Sequence, residues 1–269
     1  MQLTDLLPGV RDIAIRAGAE IMKVYQREDL GVQTKQDDSP LTQADLAAHD
    51  VIVQGLAKLY PGTPILSEED ANIAWETRSS WDRYWLVDPL DGTKEFINRN
   101  GEFTVNIALI ENQRAVLGVV YVPPTKVCYS GILGQGATVE RDGVSVKMAS
   151  RAFEPVQGII AVASRRHRGE QLQHCLDRLS ALGPLTDTSM GSSLKLCLVA
   201  EGKADIYPRL APTCEWDTAA AQAVVEAAGG QVLDADFKPL RYNTTSELLN
   251  PWFYVVGDPA IDWKQLLSQ

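Results

Sequence analysis

The sequence has 269 residues, 45% hydrophobic and 22% charged, a globular composition with room for a sizeable core in one large domain or two closely joined lobes. Its formal net charge of −10 argues against the clustered basic surface that nucleic-acid backbones require, so an anionic ligand needs local compensation from metal ions or a small basic patch. No stretch reaches the roughly eighteen uninterrupted apolar residues that span a bilayer, no secretion-signal pattern opens the chain, and Cys128, Cys175, Cys197 and Cys214 form no CxxC pair. A soluble, cytoplasmic protein with reduced thiols is the expectation.

Leu6, Val10, Ile13, Ala14, Ala17, Ile21 and Val24 recur at spacings of three and four, which predicts a long amphipathic helix. A second helix is expected over QADLAAHDVIVQGLAKLY, stopped by Pro61 and Gly62. Residues 63 to 140 turn to strands: TPILSE, YWLVD, FTVNIALIE, AVLGVVYVP and KVCYSGI. From about residue 157 the pattern alternates. GIIAVAS reads as a buried strand, GEQLQHCLDRLSAL and SSLKLCLVAEG as helices, and DTAAAQAVVEAAGG as an alanine-rich helix closed by glycines; QVLDA and WFYVVGD supply the last strands. The pattern implies a layered α/β (α+β) protein. Residues 1–150 are expected to form an N-terminal helix plus antiparallel-sheet lobe, and residues 151–269 a C-terminal α/β lobe.

The acidic residues between 68 and 91 are not spread as a solvated face would spread them. Glu68 and Glu69 end one expected strand, Asp88 ends the next, and Asp91 follows round a turn set by Pro89 and Gly92. Ionised carboxylates this close repel one another unless a cation neutralises them. Hard oxygen ligands without His or Cys suit Mg²⁺, and the Leu90 carbonyl offers a neutral oxygen between the two aspartates. Asp217 is expected at the start of a helix, where free N–H groups favour anions. Singly, each feature also reads as a surface turn, a solvated loop or a helix cap.

Glu68-Glu69 after a strand, then WLVDPLDGT, then WD heading a helix that ends EAAGG resembles the inositol monophosphatase superfamily of Mg²⁺-dependent, lithium-sensitive phosphatases. Within it, YWLVDPLDGTKEFINRNGEFTVNIALI, ASRRH and GSSLKLCLVAEGKADIYPR look like the CysQ-type 3'(2'),5'-bisphosphate nucleotidases. The resemblance implies an αβαβα sandwich and hydrolysis of the 3'-phosphate of adenosine 3',5'-bisphosphate, a reaction of sulfur metabolism. It assigns Glu68, Asp88, Asp91, Asp217 and the Leu90 carbonyl to Mg²⁺, with Asp88 bridging two ions. Asp45 and Thr93 become the relay that aligns and deprotonates the attacking water, with Glu68 in the same catalytic set. Glu68, Leu90, Asp91, Gly92, Thr93 and Asp217 surround the phosphate, to which Gly92 and Thr93 present backbone N–H groups.

A bisphosphate nucleotide needs a further cationic partner. Arg165 and His167, in the SRRHR segment after a strand, are candidates. Gly191, Ser192 and Ser193 open a helix whose N–H groups and hydroxyls could receive an anion or ribose, and Lys195 and Arg209 could add charge. The expected partner is thus a small nucleotide and no nucleic acid. Peripheral attachment to the inner bacterial membrane is left open by the resemblance, and the sequence sets no oligomeric state. Two alternatives remain: an inositol monophosphatase or sugar bisphosphatase with the same metal ligands, and a non-catalytic ligand-sensing or partner-binding module.

Overall fold

The computed structural model describes residues 2–34, 40–163 and 169–267. In chain order its elements begin with α1 (Leu3–Tyr25), β1 (Gln33–Thr34), β2 (Pro40–Leu41), α2 (Gln43–Leu59), β3 (Ile65–Ser67), α3 (Trp75–Arg78), β4 (Arg83–Asp91) and α4 (Thr93–Ile97). Strands β5 (Thr104–Glu111), β6 (Arg114–Val122), β7 (Val127–Ile132), β8 (Gly136–Arg141), β9 (Val144–Met148) and β10 (Ile159–Val162) follow. The chain then runs through α5 (Glu170–Ser180), β11 (Leu185–Thr188), α6 (Leu194–Ala200), β12 (Ile206–Arg209), α7 (Ala219–Ala227), β13 (Gln231–Asp234), β14 (Phe253–Val256) and α8 (Trp263–Leu267).

The stripe of Leu6, Val10, Ile13, Ala14, Ala17, Ile21 and Val24 is buried, as its spacing requires of α1. Helix α2 starts at Thr42, whose hydroxyl accepts the Ala44 N–H at 3.1 Å while the Asp45 carboxylate accepts the Thr42 N–H at 2.7 Å. That reciprocal capping satisfies two otherwise orphaned donors. Both helices cover one face of a seven-stranded sheet in the order β3-β4-β5-β6-β7-β8-β9, meeting Trp85, Val87, Val105, Ile107 and Leu109. Because side chains alternate along a strand, Tyr84, Leu86, Ala108 and Ile110 face the other way, into a core shared with α6 and α7. With both faces covered, β4 reads as a continuous apolar run.

Helices α6 and α7 in turn back onto a five-stranded sheet, order β11-β10-β12-β14-β13, whose outer face packs under α5 and α8. The layers therefore run helix, sheet, helix, sheet, helix, the sandwich expected from the sequence. The first sheet is not purely antiparallel: β3 pairs with β4 in parallel, Ser67 opposite Val87, and the remaining neighbours are antiparallel. Parallel pairing brings both strand ends to one edge, which puts Glu68 beside Asp88. The β8–β9 hairpin, β11 and β12 were not anticipated as elements. No helix among the described residues is long and apolar enough to cross a membrane.

Candidate active site

Along β4 the pairing with β5 slips by one residue: Asp88 lies opposite Asn106 and Asp91 opposite Thr104. Three steps on one strand thus match two on the other, a bulge occupied by Pro89 and Leu90. Asn106 and Thr104 are two apart and share a face. The extra residue therefore turns both aspartates to that face, which an unbroken strand would not do. Proline is tolerated there because a bulge has a gap in the ladder. The Leu90 N–H donates to Asp88 Oδ1 at 2.9 Å and closes the turn.

Glu68, Asp88 and Asp217 bring carboxylate oxygens within 4.8 Å of one another. Asp217 lies in a one-turn 3-10 segment, Glu215–Asp217, just ahead of α7; its carboxylate turns back to accept the Cys214 N–H at 2.9 Å. The expectation that Asp217 opens a regular helix is corrected accordingly. Burial first, then the charges of Glu68, Asp91, Asp217 and Asp45, hold the Asp88 carboxyl well above the usual carboxylate range. Asp217 is likewise raised by burial and by Asp91 and Glu68, with the Cys214 N–H and Arg209 pulling the other way. An oxygen-only donor set whose members resist ionising together fits a hard divalent cation, which would relieve the repulsion.

Asp91 points into a different network. Its Oδ2 accepts the Ser193 N–H at 2.5 Å, with Asn106 Nδ2 at 3.3 Å and the Thr104 hydroxyl at 3.4 Å. Burial raises its pKa against the opposing charge of Lys195 and these hydrogen bonds. The Ser193 hydroxyl donates to Asn106 Oδ1 at 2.9 Å and lies 2.9 Å from the Thr104 hydroxyl. The Gly191 N–H donates to Glu102 Oε2 at 2.7 Å. The expectation that Gly191 and Ser193 offer free N–H groups therefore fails, because two carboxylates already hold them. Thr104, Asn106 and Glu102 were not anticipated; the first two are polar residues at alternate positions of an otherwise apolar strand, a signal visible in FTVNIALIE.

Asp45 is buried, and its two oxygens divide their work. Oδ2 caps α2, accepting from the Thr42 N–H and, at 2.6 Å, from the Thr42 hydroxyl. Oδ1 accepts from the Thr93 hydroxyl at 3.3 Å, and that hydroxyl also lies 3.3 Å from the Leu90 carbonyl. One helical turn after Asp45, His49 Nδ1 is 2.9 Å from the Ser67 hydroxyl, linking α2 to the strand end that carries Glu68.

Glu68, Asp88, Asp91, Thr93, Ser193 and Asp217 line one cleft made of two adjoining cavities. One, of about 280 Å³, is bounded by Glu68, Asp88, Leu90 and Thr93; the other, of about 200 Å³, by Ser192, Lys195, Tyr207 and Arg209. Asp91, Gly92, Lys94, Glu95 and Asp217 border both. Lys195 donates to the Ser192 carbonyl at 2.6 Å and the Met190 carbonyl at 3.3 Å, and burial lowers its ammonium to about 8 despite the attraction of Asp91. The cleft thus has an acidic end and a cationic end. Arg165 and His167 lie outside the described residues.

This fold, with carboxylates gathered at the paired ends of β3 and β4, is that of a known class: the inositol monophosphatase family model matches residues 2–260, and the chain belongs to that family. Over 251 residues it is 51% identical to the 3'(2'),5'-bisphosphate nucleotidase CysQ of Salmonella typhimurium, covering 93% of this chain and 99% of that protein. The CysQ of Escherichia coli K12 matches at the same identity and coverage. The crystal structure of CysQ from Bacteroides thetaiotaomicron superposes with a TM-score of 0.82 at 44% identity, covering 93% of this chain and 96% of that one. An inositol monophosphatase from Anabaena, 24% identical with a TM-score of 0.74 over 96% of this chain and 92% of that one, shares the fold.

Proposed function

We propose that the protein is a Mg²⁺-dependent, lithium-sensitive phosphatase of the cytoplasm. It removes the 3'-phosphate of adenosine 3',5'-bisphosphate to leave AMP. The observation that carries this reading is the polarity of the cleft: a carboxylate cluster at one end, and Lys195 and Arg209 at the other. A monophosphate needs only the first end, whereas a bisphosphate can use both. The identity of 51% over 99% of the length of two nucleotidase relatives supports the same choice.

Glu68, Asp88, Asp91, Asp217 and the Leu90 carbonyl would hold the metal. When bound, divalent cations supply Lewis acidity to phosphoryl oxygens and lower the pKa of water, the dominant need in slow phosphate-ester hydrolysis. The chain itself positions the rest. Thr93 and Asp45 form a hydroxyl–carboxylate relay suited to orienting a water and taking its proton. Arg209 and Lys195 place positive charge where a second phosphate would lie, and Gly92, Ser192 and Tyr207 shape the wall beside it. In this reading lobe 1–150 supplies most of the metal ligands, and lobe 151–269 supplies Asp217 and the recognition surface.

The test is phosphate release from adenosine 3',5'-bisphosphate and, in parallel, from inositol 1-phosphate, with and without Mg²⁺ and then with lithium. Mg²⁺-dependent, lithium-inhibited turnover with preference for the nucleotide is expected. Preference for the inositol ester would overturn the substrate assignment, and turnover in a metal chelator would overturn the cofactor.

A further inference from the structure

One wall of the cleft is the turn Met190 to Ser193, and it is fastened from both sides. Glu102 Oε2 accepts the Gly191 N–H at 2.7 Å, Asp91 Oδ2 accepts the Ser193 N–H at 2.5 Å, and the Lys195 ammonium donates to the Ser192 carbonyl at 2.6 Å. Between the two anchored amides Ser192 has φ 47°, a left-handed conformation that a non-glycine residue keeps only when its surroundings impose it. Its hydroxyl is buried without a hydrogen-bond partner, and the residue borders the cleft. The approach of Glu102 is close: a Cβ on Gly191 would sit 2.7 Å from the Glu102 carbonyl oxygen and 2.8 Å from the Glu102 Cβ.

We propose that Glu102 is a positioning residue for the phosphorylated substrate: its carboxylate grips the Gly191 amide, which sets the turn and holds Ser192 against the cleft. The inference rests on the nucleotidase reading for the identity of the ligand. It has an unusual sign. A carboxylate near an anion site, acting only as a charge, weakens anion binding, so its neutralisation should tighten binding. A carboxylate acting as an anchor does the reverse when its reach is lost.

Two variants separate charge from reach. Glu102→Gln discards the charge and keeps an acceptor oxygen at the same length; Glu102→Asp keeps the charge and withdraws the oxygen by one methylene. In each, amide hydrogen exchange of residues 190 to 193 is measured without substrate, and KM and kcat for adenosine 3',5'-bisphosphate are measured at saturating Mg²⁺. Glu102→Asp should lose protection at the Gly191 amide and raise KM about tenfold, with kcat falling no more than about twofold. Glu102→Gln should keep the protection, with KM at or below that of the parent. Unchanged protection in Glu102→Asp, an unchanged KM, or equal rises in KM in both variants would each overturn the proposal. A parent enzyme that releases no phosphate from the nucleotide would overturn the activity reading instead, and the exchange data would still decide whether Glu102 anchors the turn.

Discussion

The Thr93 hydroxyl stands 3.3 Å from Asp45 Oδ1, joining the residue just after the bulged strand to the first turn of a helix 48 positions earlier in the chain. The other oxygen of Asp45 is committed to Thr42, so capping fixes the carboxylate's aim. Asp45→Asn keeps a side-chain oxygen for the cap and removes the proton acceptor. Turnover of the nucleotide should fall by about a hundredfold or more, the usual scale of general-base loss. Mg²⁺ affinity, followed by calorimetry, should stay within about threefold. Normal turnover in the purified variant would remove Asp45 from the relay.

The carboxylate cluster makes the metal-free protein less stable as pH rises above the ordinary carboxylate range. Asp88 and Asp217 have native pKa values above their ordinary 3.8, so the native state binds more protons than the unfolded chain in the window above that value. Stability must then fall as pH rises through the window, the opposite of a salt-bridged aspartate. Asp88→Asn lacks this loss and retains the oxygen that receives the Leu90 N–H. In chelator, its melting temperature should exceed that of the parent by more at about pH 8 than at about pH 5, and Mg²⁺ should raise the parent's more than the variant's. An advantage that shrinks as pH rises would contradict the linkage.

Much of this was legible in the sequence because burial imposed regular patterns. The α1 stripe showed its helical period, β4 to β7 their apolar runs between Gly and Pro breaks, and α7 its run of alanines. Strands β8 and β9 were missed although VSVKM alternates apolar and polar residues: β9 is solvated on both faces and β8 buries only Ala137 and Val139, so neither carries the long apolar run that marked β4 to β6. A second signal was Asp142-Gly143, whose φ values of 51° and 76° make it the tight hairpin turn that an Asp-Gly pair favours. At the site, Glu68 and Asp88 meet as their strand-end positions implied, whereas Asp217 was joined to them only by the family resemblance. The shared face of Asp88 and Asp91 depends on a one-residue slip against β5, which only pairing across strands defines. For the same reason the grip of Glu102 on Gly191, spanning 89 positions, left no trace in local pattern.

The seat of α7 on the first sheet is set by small residues. A Cβ on Gly118 in β6 would lie 2.0 Å from the Ala220 carbonyl oxygen and 2.9 Å from the Ala223 Cβ. Backbone cannot yield as a side-chain tip does, so Gly118→Ala must displace the helix, and overpacking of this kind costs about 1–3 kcal/mol or more. Since the turn bearing Asp217 leads directly into α7, the same shift should weaken metal binding. Urea denaturation should show the loss of stability, and Mn²⁺ titration a several-fold loss of affinity. Parental values in both would mean that the helix has more room than its contacts indicate.

Arg209 separates recognition of a second phosphate from hydrolysis of the first. Its Nη2 donates to the Pro212 carbonyl at 2.8 Å, and its guanidinium interacts with the Tyr207 hydroxyl at the cationic end of the cleft. Losing a charged hydrogen bond costs about 1.5–3 kcal/mol, or roughly a ten- to hundredfold rise in KM. Arg209→Ala should show that rise for adenosine 3',5'-bisphosphate and a much smaller one for adenosine 3'-phosphate, which lacks the 5' group. Arg209→Lys should recover little, because an ammonium does not reproduce the guanidinium fork. If both substrates suffer equally, the arginine acts on the shared phosphate or through Asp217, whose pKa it helps to lower, and the cationic end of the cleft is not the 5'-phosphate site.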